Sequence, residues 1–145
     1  MKTLEFSYNI GVNPGYGHQN EIKESLNLVG KLWQEQATKH YVPGEIYVSG
    51  VVFPSKTVYH ADWGCPLGGE DTVCITGVLN PAFLKDEDKN IQPGVLTPKQ
   101  HIIDKWKDSV RQIALAVGRE LNQTTGYLDF SIVDFEYLKP NESHG

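Results

Sequence analysis

The chain has 145 residues, of which 39% are hydrophobic and 21% charged, with a formal net charge of −5. This balance predicts one folded globular domain and excludes a disordered chain. A negative chain without any run of Lys and Arg argues against a nucleic-acid partner, because phosphate binding needs a clustered basic face. No apolar stretch approaches the roughly 20 residues that cross a membrane, and the polar N-terminus lacks the apolar core of a signal peptide. With only two cysteines, we therefore expect a reduced, cytoplasmic protein without a membrane partner.

The first predicted element is a strand, because apolar and polar residues alternate strictly over residues 4–12. A turn-rich segment then leads to a helix for which Asn20 is the predicted N-cap. Apolar residues recur there at three- and four-residue steps and predict a helix of about five turns with one buried stripe. The members of that stripe are Ile22, Leu26, Val29, Trp33 and Ala37.

Residues 46–53 are rich in β-branched and aromatic types and predict a second strand, which Pro54 interrupts and residues 56–60 resume. A loop rich in Gly and Pro follows over residues 62–69. Glu70 opens a third strand, in which three apolar residues share one face. These are Val73, Ile75 and Leu79. Residues 82–96 form a long connection, and loops of that length are usually functional or mobile.

A second long helix begins after a capping signal, in which Thr97 is the predicted cap and Pro98 the first helical residue. Its buried stripe contains Ile102, Trp106, Val110, Ile113, Val117 and Leu121. In the final strand the apolar residues change parity, which predicts a β-bulge near Ile132 because one extra residue reverses the faces that follow.

The element order βαββαβ predicts an α+β fold of the ferredoxin-like type, an antiparallel sheet with two helices on one face. We expect a single domain over residues 1–139 and a flexible tail over residues 140–145. The other face of such a sheet is open. Because oligomers commonly cover such a face, we expect an oligomer, with a trimer the favoured form.

Polar side chains are concentrated between Tyr59 and Thr72, and a smaller cluster with Tyr16 and His18 lies between residues 13 and 20. Both lie at strand ends, where binding loops on a rigid scaffold are expected. Glu70 follows two glycines and begins a strand, so its carboxylate is held beside adaptable backbone. From the residues alone, a solvated strand-end carboxylate is the favoured interpretation of Glu70, and a packing residue is the favoured interpretation of Tyr59.

The same residues suggest two other kinds of site. His60, Asp62, Cys65 and Glu70 could bind a metal, but they mix hard and soft donors at a spacing that matches no common zinc pattern. We therefore expect no metal. Cys65 near His60 could form a nucleophilic pair, but no third group orients it, so a structural cysteine is the favoured interpretation. The glycines between residues 11 and 17 do not match a phosphate-binding loop.

The chain resembles the phage-encoded S-adenosylmethionine (SAM) lyases. The similarity rests on the βαββαβ order, on Tyr59 in one central strand, and on Glu70-Asp71-Thr72-Val73 opening the next. It implies a homotrimer in the host cytoplasm, with active sites between subunits and no cofactor. It also implies conversion of SAM to 5′-methylthioadenosine and L-homoserine lactone, an anti-restriction activity because it removes the methyl donor of host defence enzymes.

Under this resemblance, Glu70 and Tyr59 are the predicted catalytic residues, which place the methionine part of SAM. The predicted substrate-binding residues are Tyr16, Phe53, Trp63, Asp62 and His60, of which the three aromatic rings could stack on adenine. The alternative is a non-enzymatic oligomer of the same fold that sequesters a nucleotide-like molecule. A purely structural oligomer is a third interpretation.

Overall fold

The computed structural model describes residues 1–13, 21–40 and 46–141. The strands are β1 (Lys2–Gly11), β2 (Val51–Thr57), β3 (Glu70–Val78) and β4 (Gly126–Asp134). The helices are α1 (Ile22–His40), between β1 and β2, and α2 (Gln100–Glu120), between β3 and β4. The fold is therefore α+β, as the sequence predicts.

The four strands form one antiparallel sheet in the order β2-β3-β1-β4, so β1 and β3 are central and β2 and β4 are edges. Tyr8 of β1 lies opposite Ile75 of β3 on one side and Leu128 of β4 on the other. Residues in register share a face, and successive residues point to opposite faces. One face of the sheet therefore carries Tyr8 and the residues in register with it. The opposite face carries the residues that directly precede and follow these along each strand.

Both helices cover the face that contains the even-numbered residues of β1. The Phe6 ring stacks on Trp33 of α1 at 5.3 Å between centroids and lies 5.9 Å from Trp106 of α2. Trp106 in turn contacts Phe130 of β4 edge-on at 5.7 Å. Leu4, Phe6, Tyr8 and Ile10 are all buried. The apolar core thus lies between this face and the two helices.

The helical stripes explain why α1 and α2 dock there. All six predicted stripe residues of α2 are buried: Ile102, Trp106, Val110, Ile113, Val117 and Leu121. In α1, Val29 and Trp33 are buried as predicted, whereas Ile22 in the first turn is exposed. The predicted cap of α1, Asn20, lies outside the described residues.

The prediction for the second strand is wrong in its bounds. Residues 46–50 are irregular, and β2 runs from Val51 through Pro54 to Thr57. Proline has no N–H for a ladder bond, but an edge strand has one side without a partner, so Pro54 fits there. Tyr59 consequently lies two residues beyond an edge strand and not on a central strand.

Two further predictions are corrected. No bulge occurs near Ile132, because β1 and β4 pair without interruption from Lys2–Asp134 to Ile10–Gly126. Thr97 does not cap α2, whose cap position is Lys99. The Thr97 backbone instead donates to the Lys2 carbonyl at 2.8 Å and accepts from Asn90 at 2.7 Å. That pairing holds Thr97 outside the helix.

The second face of the sheet carries the odd-numbered residues of β1 and is here called the open face. Both helices pack on the other face, so neither helix covers the open face. Among the residues that the structure describes, no helix is both long and apolar enough to cross a membrane.

Candidate functional site

A hairpin loop connects the paired ends of β2 and β3. Thr57 pairs with Glu70, so the loop comprises residues 58–69 and is here called the 58–69 loop. Four of the predicted site residues lie on it: Tyr59, His60, Asp62 and Trp63. Glu70 follows the loop directly as the first residue of β3. One hairpin therefore brings both predicted catalytic residues to the same end of the sheet.

A glycine turn closes the loop just before Glu70. Gly68 and Gly69 have φ values of 88° and 97°, a region that favours glycine. The Gly69 amide donates to the Pro66 carbonyl at 2.9 Å. A Cβ on Gly69 would lie 2.7 Å from the Thr57 carbonyl oxygen and 2.9 Å from Val58. Only glycine therefore lets the two strands approach closely enough to hold Glu70 at this position.

Glu70 lies on the open face, and burial raises the pKa of its carboxyl above the ordinary value. Within the described part of the chain, no ion pair includes Glu70. Its neighbour Asp71 points to the opposite face, where the Lys56 ammonium lies 2.9 Å from the carboxylate. The Glu70 carboxylate is therefore partly desolvated, and no cation of the described residues forms an ion pair with it.

A row of hydroxyl and amide groups continues from Glu70 across the open face, and is here called the hydroxyl row. The Ser55 and Thr72 hydroxyls lie 2.7 Å apart, and the Thr57 and Thr72 hydroxyls 3.1 Å apart. The Asn9 amide donates to Thr57 at 3.2 Å and accepts from Ser55 at 3.4 Å. Three strands thus contribute neutral polar groups beside the Glu70 carboxylate.

The hydroxyl row is not among the sites that the sequence predicts. Alternation along the strands offers a partial signal. Ser55 and Thr57 lie two positions apart in β2, and Thr72 lies two positions after Glu70 in β3. Asn9 is separated from Thr57 by 48 positions in the chain. Their proximity follows only from the register of β1, β3 and β2.

Aromatic rings cluster on the 58–69 loop. The Trp63 ring lies 6.3 Å from the Tyr59 ring and 6.3 Å from the His60 ring, and 70% of Trp63 is exposed. His60 accepts a hydrogen bond at Nδ1 from the Asp62 backbone amide at 3.2 Å, which caps a short 3₁₀ turn. His60 and Asp62 therefore shape the turn that presents Trp63 to solvent.

Phe53 lies apart from that loop, on β2 opposite Cys74 and on the open face. It shares this face with Ser55 and is 39% exposed. Tyr16, the remaining predicted residue, lies outside the described residues. Of the three rings predicted to stack on adenine, Phe53 and Trp63 are therefore the two that the structure describes.

Within the described ranges, no group of three or more His, Cys, Asp and Glu side chains is placed to hold a metal ion. His60 and Asp62 are paired with each other in the turn, and Cys65 is half-buried. Cys74 is buried in β3, with its sulfur 3.4 Å from the Ser7 hydroxyl.

Comparison with known proteins identifies one family. Residues 1–93 match the SAM lyase family. This region contains β1, α1, β2, the 58–69 loop and β3, and therefore Glu70 and the whole hydroxyl row. No curated protein and no solved structure matches the chain. Since the match covers more than half of the sequence, the chain belongs to the SAM lyase family, whose name denotes a lyase acting on SAM.

Proposed function

We propose that this protein cleaves SAM to 5′-methylthioadenosine and L-homoserine lactone, with Glu70 and Tyr59 as catalytic residues. The observation that carries the proposal is the Glu70 carboxylate, which is partly buried on the open face without a described cation beside it. SAM carries an ammonium and a sulfonium group, so its chain is the kind of ligand that such a carboxylate attracts.

The reaction needs little from the protein beyond orientation. The SAM carboxylate attacks its own γ-carbon, a C–O bond forms, the C–S bond breaks, and its electron pair stays on sulfur. The thioether leaves as neutral methylthioadenosine, and the lactone keeps the ammonium, so atoms and charges balance without a proton transfer. Holding the reacting atoms about 3–3.5 Å apart is the step that a binding site can supply.

Glu70 would hold the methionine chain of SAM in the reactive conformation by pairing with the substrate ammonium. This pairing leaves the substrate carboxylate free to reach the γ-carbon. Tyr59, next to the same strand end, would hydrogen-bond the methionine part. The hydroxyl row extends this role, because Thr57 and Thr72 offer neutral donors and acceptors beside Glu70 without a competing positive charge. A lysine in their place would instead bind the attacking carboxylate and oppose cyclisation.

The adenine would stack on Trp63 or Phe53, which lie on either side of the hydroxyl row along the hairpin. We further propose a ferredoxin-like homotrimer with each site between two subunits. The strand order β2-β3-β1-β4 supports that fold. The exposure of Trp63 and the uncovered open face support a site that a second subunit completes. Activity in a phage-infected host cytoplasm would remove the methyl donor of host defence enzymes.

The test of the proposed function compares Glu70→Gln with Glu5→Gln. Both glutamates are half-buried on the open face, but Glu5 pairs with Val78 at the far end of β3. We expect Glu70→Gln to lose about 100-fold or more in kcat/KM, on the scale of misplaced reacting atoms. Glu5→Gln should retain wild-type turnover. Equal activity in the two variants would remove Glu70 from the mechanism.

The sequestering alternative predicts a different result when SAM is added to the wild type. It expects SAM or a related nucleoside to raise the melting temperature of the wild type without any product. Stabilisation with intact SAM would therefore favour sequestration, whereas stabilisation accompanied by methylthioadenosine favours the lyase.

A further inference from the structure

The hydrogen bonds of the hydroxyl row form a closed ring. Asn9 bonds Thr57 at 3.2 Å and Ser55 at 3.4 Å through the two ends of its side-chain amide. Thr72 closes the ring on the other side, at 2.7 Å from Ser55 and 3.1 Å from Thr57. Each hydroxyl therefore has two neighbours in the ring, although each has only one proton to donate.

Only one arrangement of the hydroxyl protons makes all of these bonds together. The side-chain oxygen of Asn9 can only accept, so Ser55 donates its proton to Asn9. Thr72 must then donate to Ser55, and Thr57 to Thr72. Thr57 in turn accepts from the Asn9 amide. Taken singly, the hydroxyls could donate or accept, but within the ring every hydroxyl proton has a partner. The capacity that they keep for a ligand is an oxygen lone pair.

The ring lies next to the Glu70 carboxylate. Thr57 is the β2 residue directly opposite Glu70, and Thr72 follows Glu70 by two positions on the same face. At about 3.3 Å per residue, the ring therefore begins within about 7 Å of Glu70 along β3. Ser55 and Thr57 are half-buried and can meet a ligand, whereas Thr72 is buried.

The four described strands place no Lys or Arg on the open face. Its charged strand residues are three carboxylates, namely Glu5, Glu70 and Asp129. The two lysines of the strands, Lys2 and Lys56, belong to the opposite face, where each forms an ion pair. The field of the open face therefore attracts a cationic ligand and repels an anionic one.

From the ring and its surroundings we infer that the hydroxyl row is the specificity-determining element of the Glu70 site, which accepts a sulfonium and disfavours a neutral thioether. This inference rests on the proposed function. With the substrate ammonium at Glu70, the short carbon chain of SAM brings its sulfonium over the ring. The lone pairs of Ser55 and Thr57 then meet the C–H groups attached to the positively charged sulfur, which are weak hydrogen-bond donors.

Thr72 acts in this element as a positioning residue. It accepts the Thr57 proton, and its own proton occupies Ser55, so both neighbours keep their protons within the ring. Without Thr72, the Thr57 proton could turn toward the ligand and oppose the positive charge on sulfur. The product methylthioadenosine has a neutral sulfur, so the same arrangement favours its release.

The experiment compares two probes that share the adenosine, ammonium and carboxylate groups of SAM. Sinefungin has a protonated amine in place of the methylsulfonium, and S-adenosylhomocysteine has a neutral thioether. Neither has a sulfonium leaving group, so calorimetric titration of the full chain measures binding without turnover. We expect a Kd about tenfold or more lower for sinefungin than for S-adenosylhomocysteine. Equal Kd values, or no saturable binding of sinefungin at millimolar concentration, would overturn the inference.

Variants of two threonines on the same face of β3 test the ring itself. Thr72→Val removes the ring hydroxyl at similar side-chain shape, and we expect the preference for sinefungin to fall about fivefold. Thr72→Ser keeps the hydroxyl and should retain the preference. Thr76→Val makes the same change at the position opposite Ser7, outside the ring, and should also retain it. Equal preferences in Thr72→Val and Thr76→Val would contradict the inference.

A variant on the edge strand covers the case in which Thr72→Val does not fold. Ser55→Ala opens the ring at a half-buried position of β2 and should likewise reduce the preference for sinefungin. An unchanged preference in Ser55→Ala would contradict the role of the ring.

The wild type separates this inference from the proposed function. Preference for sinefungin without any cleavage of SAM would contradict only the lyase proposal. Formation of methylthioadenosine from SAM, together with equal Kd values for the two probes, would contradict only the role of the hydroxyl row.

Discussion

The two faces of the sheet are built from the same strands but are used differently. On the helix-covered face, Phe6 is fully buried between Trp33 and Trp106. The next residue, Ser7, lies on the open face and is half-buried. Its hydroxyl is 3.4 Å from the Cys74 sulfur. The first face is filled with rings and aliphatic side chains, whereas the second carries the hydroxyl row together with carboxylates that include Glu70 and Glu5.

Under the proposed function, the helix-covered face provides stability and the open face provides activity. Burial of aromatic and aliphatic side chains stabilises the fold in proportion to the apolar area removed from water. The hydroxyl row buries little apolar surface, yet it places neutral polar groups beside Glu70. Substitutions on the helix-covered face should therefore reduce stability first, and substitutions on the open face should reduce activity first.

The largest expected effect is on the helix-covered face. Phe6→Ala removes the ring between Trp33 and Trp106 and leaves a cavity, so we expect a loss of about 3–5 kcal/mol in the free energy of unfolding. Ser7→Ala, at the next position, should cost less than about 1 kcal/mol. Chemical denaturation of the two variants measures the contrast. Similar losses in both would contradict the division between the faces.

The glycine turn before Glu70 gives the next largest effect. Gly69→Ala combines a strained φ of 97° with a contact of 2.7 Å to the Thr57 oxygen. We expect a loss of about 1–3 kcal/mol and reduced SAM turnover, because Glu70 moves with the turn. Gly68→Ala has a similar φ, but a Cβ there meets nothing within 4 Å, so it should be milder and more active. The opposite ranking, by denaturation and turnover, would refute this role of Gly69.

A smaller effect is expected at the hydrogen bond that links the helix-covered face to α2. The buried Tyr8 hydroxyl donates to the Ala114 carbonyl at 3.0 Å, and Tyr8→Phe should cost about 1 kcal/mol at neutral pH. Burial raises the pKa of Tyr8 from 10.0 to about 12, so the neutral phenol contributes fully below pH 10.0. That contribution is lost as the pH rises toward about 12, and the wild type should lose stability faster than Tyr8→Phe in this window. Parallel pH profiles would contradict the assignment.

The smallest effect on stability is expected at Glu70. Because burial raises the pKa of the folded carboxyl, the charged form is disfavoured in the folded state at neutral pH. Glu70→Gln should therefore melt at or slightly above the wild-type temperature at neutral pH. The difference should shrink as the pH falls through the raised folded pKa and vanish below the unfolded pKa. A clear loss of stability at neutral pH would mean that the carboxylate has a structural role.

Local patterns were sufficient to predict both helices and the buried face of β1, because each depends on residues a few positions apart. They do not predict the structure correctly where apolar residues are buried outside the sheet, or where a residue bonds to one far away in the chain. Ile46 and Val48 pack against the core without joining the sheet, so their apolar character was mistaken for a strand. Thr97 pairs with Lys2, 95 positions away by number, and that long-range bond overrides its local capping signal.

The candidate site was predictable only in part for the same reason. The position of Glu70 at the start of β3 is predictable from the two glycines before it, which are a local signal. The hydroxyl row depends on Asn9 meeting Thr57 across three strands, which follows from the register alone. Neutral serine and threonine side chains also give no compositional signal, since they are common on any exposed strand.

The central claim is that SAM is cleaved by its own carboxylate, and product analysis in heavy-oxygen water tests it most directly. Homoserine lactone should appear first without heavy oxygen, because its ring oxygen comes from the SAM carboxylate. Homoserine formed later from the lactone should carry the label in its carboxylate. Homoserine labelled on its γ-hydroxyl from the earliest times would show direct attack by water and contradict the mechanism, and intact SAM would contradict the lyase itself.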